Sequence, residues 1–300
     1  MFQFPFRAPQ FAFSPDLQEF ERLPATSVYK IIAREGRKEM RRPAASLWWS
    51  SVAAGFAMAA SVVGVAALSM AVPADAPGRQ AVIALGYPFG FLIVILSRLQ
   101  LFTENTITPI LPLLLRPNRR ALIGLLRLWA IVLAGNLAGA LAAAALAMEG
   151  GLVGEPLQQA MLEVSAHAID LPPLRSFSQG VLAGFVIAAL VWMLPSLKHQ
   201  EFIAIFALTY LIGAAGAPHV IAGAVETFVV AMRGTLPFGS AVLEHILPTL
   251  AGNVVGGAGL FAALAYGQVW RELQNGPAPP PTTGQSEPSD KKDTPLANRS

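Results

Sequence analysis

The chain has 300 residues, of which 54% are hydrophobic and only 13% charged, with a mean hydropathy of +0.53 and a net charge of +3. Soluble domains carry about 25% charged residues, so the composition excludes an ordinary soluble protein, and +3 is too little for a nucleic-acid footprint. The absence of cysteine excludes disulfides, thiolate metal sites and a thiol nucleophile.

Residues 1–46 form a mixed, basic segment without the apolar run of a signal peptide ahead of Leu47. Between Asp16 and Arg42, the apolar residues Val28, Ile31 and Ile32 fall at helical spacing, which suits a helix lying on the membrane or on a neighbouring protomer. Four stretches then reach the roughly 20 apolar residues a span needs: Leu47 to Val72, Ala121 to Met148, Phe177 to Pro195 and His245 to Trp270. Two more do not fit one helix each. Val82 to Leu115 is 34 residues long and carries Arg98, Gln100, Thr103, Glu104 and Asn105. Gln200 to Ala231 is interrupted by Gly213, Gly216, Pro218, His219 and Gly223. Both predict helices broken at membrane depth, where irregular backbone is tolerated only if protein buries it or water lines it. The expected fold is therefore an all-α integral membrane domain over 47–271 with six transmembrane helices, the second and fifth broken. From about 275 to 300 the sequence is rich in Pro, Ser and Thr and predicts a disordered tail.

Lysine and arginine set the orientation. Lys30, Arg34, Arg37, Lys38, Arg41 and Arg42 precede the first span, Arg116, Arg119 and Arg120 follow the second, Lys198 follows the fourth and Arg271 the sixth. Arg127 is close enough to the start of the third span to snorkel to the same side. The opposite loops hold one basic residue each, Arg79, Arg175 and Arg233, so both termini are expected to be cytoplasmic.

An internal repeat joins the two halves. Leu133-Ala-Gly-Asn-Leu-Ala-Gly139 in the third span matches Leu250-Ala-Gly-Asn-Val-Val-Gly256 in the sixth, and Asn136 pairs with Asn253 at an offset of 117. The same offset carries Thr103, at one break, to the neighbour of His219, at the other. Units of about 47–148 and 177–270 hold three crossings each, so the second must insert upside down, giving a 3+3 inverted repeat of the kind that brings broken helices together at the midplane. Helix packing alone explains the recurring glycines but not the paired asparagines or the matched breaks.

Ionisable groups at this depth are costly and mark a pathway or a partner. His219 follows Gly216 and Pro218, where one helix can end and another begin with its N–H groups facing a small anion. Its imidazole can also donate a hydrogen bond or a proton to that anion, unless it serves only to satisfy backbone at the break. Thr103 can donate to a substrate oxygen or cap the helix that follows it. Arg98, Glu104 and Glu226 are the other charges, with Arg98 expected to pair with Glu104 or, alternatively, to face the pore. Asn136 and Asn253 are expected to satisfy irregular backbone. His167, His199 and His245 fall in loops or at interfaces, with no metal-ligand spacing. Neither an acid–base pair nor a nucleophile motif points to an enzyme, and no cofactor is implied.

The run Leu101-Phe-Thr-Glu-Asn-Thr106, the two Gly-Asn-x-x-Gly elements and the lone His219 together resemble the formate/nitrite transporter family over about residues 28–270. That resemblance implies an aquaporin-like homopentamer in a bacterial inner membrane, each protomer passing a small monovalent anion or its conjugate acid, channel-like or coupled to protons through the central histidine. It makes His219 that histidine and Thr103 the threonine of the helix-two loop. It also places Phe91, Leu101 and Phe102 at a cytoplasmic constriction and Tyr87 and Ile212 at a periplasmic one. Pro218, Gly223 and Gly184 stand where family members carry glutamate or asparagine, a pattern closer to the divergent, YfdC-like branch. Two other readings keep the fold: a pore for a small neutral solute, and a non-conducting membrane scaffold.

Overall fold

A computed structural model describes residues 23–275, and the described residues form helices joined by turns and irregular connections, with no strand. The tail expected beyond 275 and the segment before Leu23 lie outside them. The elements are α1 (Ala25–Glu39), α2 (Ala44–Ala71), α3 (Arg79–Leu96), α4 (Ile110–Leu115), α5 (Arg119–Met148), α6 (Glu155–Ala168), α7 (Pro173–Ser196), α8 (Glu201–Ala214), α9 (Val220–Met232) and α10 (Phe238–Gln274). Five of them, α2, α3, α5, α7 and α10, are long and apolar enough to cross a membrane, while α8 and α9 are shorter apolar helices. Helices α2, α5 and α7 fall within a few residues of the stretches read from hydropathy, α3 covers only the first part of Val82 to Leu115, and the last span begins at Phe238 and not at His245.

Where the sequence predicts interruption, the chain leaves helical geometry. Helix α3 stops at Leu96, and Arg98 takes a left-handed φ of 53° that no α-helix continues. The connection to α4 holds only one short 3₁₀ turn, Glu104–Thr106. Helix α8 ends at Ala214, Gly216 takes a φ of 61°, and α9 starts after the extended His219.

Two close helix pairs frame these connections: α2 along α5, and α7 along α10. Small residues permit the approach. A side chain at Gly55 in α2 would strike the Asn136 carbonyl, and one at Gly139 would strike that of Val52. In the other pair, a side chain at Gly184 would strike the Asn253 carbonyl, and one at Gly256 that of Val181. Gly184 is thus a contact point between backbones, which explains why no asparagine can stand there.

Two elements differ from expectation. Helix α6, in a stretch read as a loop, buries Ala160, Met161 and Ser165 against α2 and α9. Helix α1 buries Val28, Tyr29, Ile32, Ala33 and Gly36 and leaves Ile31 exposed. Its inner face includes Gly36 because the helix meets the Thr108 carbonyl there, and the Tyr29 hydroxyl donates to the Leu111 carbonyl at 2.7 Å.

Candidate functional site

The two irregular connections meet. Thr103 Oγ1 lies 2.6 Å from His219 Nε2, although 116 residues separate them in sequence. Two asparagines hold the connections in place. Asn136 of α5 accepts from the Phe102 N–H at 2.8 Å and donates to the carbonyls of Ser51 and Gln100, each at 2.8 Å. Asn253 of α10 accepts from the Val220 N–H at 2.8 Å and donates to the carbonyls of Gly180 at 2.9 Å and Pro218 at 3.1 Å. Each side chain satisfies two backbone groups that the loss of helix leaves without partners, those of Phe102 and Gln100 or of Val220 and Pro218, and ties them to a carbonyl inside a neighbouring helix, that of Ser51 or Gly180. Further support comes from the Trp129 indole, which donates to the Asn105 carbonyl at 2.8 Å, and from Asn105 Nδ2, which donates to the Leu101 carbonyl at 3.0 Å. The role of Trp129 is missed by sequence reasoning, because an indole in an apolar span gives no signal of what it touches.

The hydrogen bonds also determine the tautomer of His219. The Ala222 N–H donates to Nδ1 at 3.3 Å, so that nitrogen is an acceptor without a proton. A neutral imidazole then carries its proton on Nε2, which donates to Thr103 Oγ1. The threonine hydroxyl is left with its own proton free to donate onward. The same bonds narrow what the start of α9 can offer an anion: Val220 N–H is taken by Asn253, Ala222 N–H by the His219 ring and Gly223 N–H by the His219 carbonyl, which leaves the Ile221 N–H and the side-chain donors.

Around this pair the lining is apolar and aromatic. The Phe91 ring stands 4.8 Å from the imidazole, Tyr87 stands 5.5 Å from Phe91, and Phe102 packs edge-on to Trp129 at 5.7 Å. Tyr87, Phe91, Leu101, Phe102 and Ile212 all belong to one buried cluster, and the backbone of Gly213 lies against the Tyr87 ring. Both Thr103 and His219 are 0% exposed, so water does not reach the donor pair in this conformation.

The remaining charges are placed differently from one another. Arg98 does not pair with Glu104, nor does it face the pair; its side chain is 87% exposed and its guanidinium lies 3.8 Å from the Glu35 carboxylate of α1. The left-handed backbone at Arg98 turns the side chain outward, toward the helix that covers this end of the fold. Glu104 instead lines a wide cavity of about 710 Å³, shared with Glu35, Glu39, Arg42, Arg98 and Gln100. Glu226 sits two turns into α9 from His219, with one carboxylate oxygen 3.9 Å from where a side chain at Gly223 would begin. His245, expected in a loop or at an interface, lies in a π-helical stretch of α10 and lines a small cavity with Glu226. No group of three metal-ligating side chains occurs among the described residues.

Comparison with known proteins agrees with this geometry. The family model for "Formate/nitrite transporter" matches residues 26–267. The chain is 34% identical over 257 residues to "Inner membrane protein YfdC" of Escherichia coli (strain K12), covering 85% of this chain and 83% of that one. It is 32% identical over 185 residues to "Formate-nitrite transporter 3" of Toxoplasma gondii (strain ATCC 50611 / Me49), covering 60% of this chain and 37% of that one. Among solved structures it is similar to an "FNT family ion channel" at a TM-score of 0.69 and 20% identity, covering 81% of this chain and 99% of the other. A "Pentameric formate channel with formate bound" is similar at 0.63 and 19%, covering 76% and 98%. The paired irregular connections, their asparagine braces and these matches lead to one assignment: the chain belongs to the formate/nitrite transporter family, a membrane transport protein and not an enzyme.

Proposed function

We propose that this chain is a pore for a small monovalent anion of the formate or nitrite kind, or its conjugate acid, with Thr103 and His219 as the donor pair at its waist. The observation that carries this reading is the 2.6 Å contact between Thr103 and His219 at the junction of two irregular connections. The chain of donors runs from His219 Nε2–H to Thr103 and from the threonine hydroxyl into the waist. An anion entering a ring of Phe91, Leu101, Phe102 and Ile212 loses hydration at a high cost. One oriented donor lowers that cost, and protonation of a weak acid removes most of it. Direct proton transfer through His219 requires Nδ1 to release the Ala222 N–H, so a protonated His219 and an intact start of α9 compete.

The proposed architecture is six crossings in a 3+3 inverted repeat, with α3–α4 and α8–α9 as the two broken helices. Its support is the matched bonding of Asn136 and Asn253, 117 residues apart, and the matched contacts at Gly55 and Gly184, 129 residues apart. The basic residues around α1, Arg116 to Arg120, Lys198 and Arg271 favour cytoplasmic termini. The names of the matched relatives support an inner-membrane location and a homopentamer.

A second reading, a pore for a small neutral solute, draws support from the apolar ring and from the outward position of Arg98, which leaves the waist without a fixed cation. Thr103→Val separates the two. It keeps the shape of the side chain and removes the last donor, while His219 Nε2–H remains to face the waist in its place. Formate flux into proteoliposomes is expected to fall about tenfold, the equivalent of one hydrogen bond to a charged group, and Thr103→Ser is expected to restore it. Unchanged formate flux in Thr103→Val would contradict the role given to the hydroxyl.

A further inference from the structure

A second polar site lies beside the donor pair, in the wall formed by α7, α9 and α10. Pro218 and Gly223, both small, leave a cavity of about 20 Å³ into which Glu226, His245, Ser176 and Thr249 converge. That is room for one water molecule, which needs two to four polar partners to be held. Ser176 and Thr249 are only 3% and 6% exposed, and their hydroxyls, which bond to no protein group among the described residues, keep accessible surface, unlike Ser165 Oγ, which is sealed off without a partner. Hydroxyls on the wall of a cavity this small, with no protein partner, can be satisfied by one bound water. Thr227, also on the lining, is already engaged, donating to the Gly223 carbonyl at 2.6 Å.

Among the described residues, Glu226 forms no ion pair. The two ion pairs found among the described residues, Arg42–Glu39 and Arg98–Glu35, both involve α1 or its flank. From α10, His245 faces the same cavity, and from α3 the Tyr87 phenol is within Coulombic reach of Glu226. The titratable neighbours of the other lining residues, His167, Asp170, Arg175 and Glu244, are all exposed. Arg233, at the far end of α9, is held by Gln158 at 2.8 Å. An isolated carboxylate at membrane depth carries a large solvation cost that a proton removes.

We propose that Glu226, His245, Ser176 and Thr249 hold one ordered water and share a proton across it, forming a proton-binding site in the pore wall separate from the His219–Thr103 pair. The Glu226 carboxyl O–H donates to the water, and the water donates to the His245 imidazole. Transfer along this chain converts carboxylic acid plus imidazole into carboxylate plus imidazolium, with no other bond made or broken. Glu226 stands on the same face of α9 as His219, two turns along, so a change in its charge acts on the helix whose start His219 caps. The site does not depend on which solute crosses.

Infrared difference spectra of the purified protein, recorded as pH is raised and lowered, test this directly. A protonated-carboxyl band is expected that Glu226→Gln removes and whose titration midpoint moves by about one pH unit or more in His245→Gln. Ser176→Ala combined with Thr249→Val, which leaves both titrating groups in place, is expected to shift the frequency of that band by removing the partners of the water. A carboxyl spectrum unchanged by Glu226→Gln would overturn the proposal, as would a midpoint that His245→Gln leaves in place. Should Glu226→Gln fail to fold, the hydroxyl double variant decides alone, and an unshifted band there would overturn the proposal.

Discussion

Replacing His219 with alanine is expected to lower formate and nitrite flux about a hundredfold in proteoliposomes, more than any other single change at the waist. Three effects combine. The Nε2–H that polarises the Thr103 hydroxyl is lost, so the threonine proton is no longer held in one direction. The Nδ1 acceptor that caps α9 is lost, a change worth about 1 kcal/mol in helix stability. The imidazole also fills space against Phe91, 4.8 Å away, so its removal loosens the aromatic lining. The expected fall in flux takes the upper end of about 1.5–3 kcal/mol for a hydrogen bond to a charged group, at tenfold per 1.4 kcal/mol. A neutral solute should be slowed far less, because it needs no compensation for lost charge. Anion flux equal to that of the unsubstituted protein in His219→Ala would remove His219 from the pathway.

Asn253→Ala is expected to cause the largest loss of stability. The side chain satisfies the Val220 N–H and the carbonyls of Gly180 and Pro218, all in the interior of the fold. The Gly180 carbonyl keeps its own helical partner, but the other two groups do not; each group left unsatisfied costs about 1–3 kcal/mol, so the variant should lose at least about 2 kcal/mol, with a thermal midpoint in detergent lower by about 4–8 °C. Asn253→Asp keeps the acceptor for Val220 but turns a carboxylate oxygen toward the Gly180 and Pro218 carbonyls in a buried site, and should be at least as destabilising as alanine. Asn136→Ala should behave like Asn253→Ala, because it too leaves two groups of an irregular connection unsatisfied, those of Phe102 and Gln100, and loses a tie to a helix carbonyl, that of Ser51. A midpoint unchanged in either alanine variant would mean that water replaces the asparagine at little cost, and that the braces do not fix the irregular connections.

Much of this arrangement is visible in the sequence because lipid imposes simple requirements. A span must be apolar for about 20 residues, so α2, α5 and α7 can be located within a few positions. Thr103 and His219 can be linked from their spacing, since the offset of 117 between Asn136 and Asn253 also carries Thr103 to the neighbour of His219. The bracing role of the asparagines follows from the same logic: irregular backbone in an apolar interior must find partners, and amides carry both donors and acceptors.

What the sequence conceals depends on side-chain direction and on local departures from helical geometry. Arg98 and Glu104 are six residues apart and of opposite charge, yet the left-handed turn at Arg98 sends its side chain to Glu35, on a helix whose register is set by Gly36 against Thr108. The convergence of His245 on Glu226 is hidden because His245 lies in the π-helical stretch Ala241–Ile246, which changes the face on which each residue falls. Helix α6 escapes notice because Pro156, Gln158, Gln159 and Glu163 interrupt its apolar pattern, although Met161 and Ser165 are buried.

The most direct test of the pore is a flux panel on the unsubstituted protein in proteoliposomes: formate, nitrite, acetate and hydrosulfide against urea and glycerol, each at an acidic and a neutral pH. An apolar waist with a single donor pair predicts that at least one of the small anions moves, faster at acidic pH where more of it is carried as the neutral acid, while the neutral solutes move slowly at both. Rapid, pH-independent movement of urea or glycerol with no movement of any anion would contradict it.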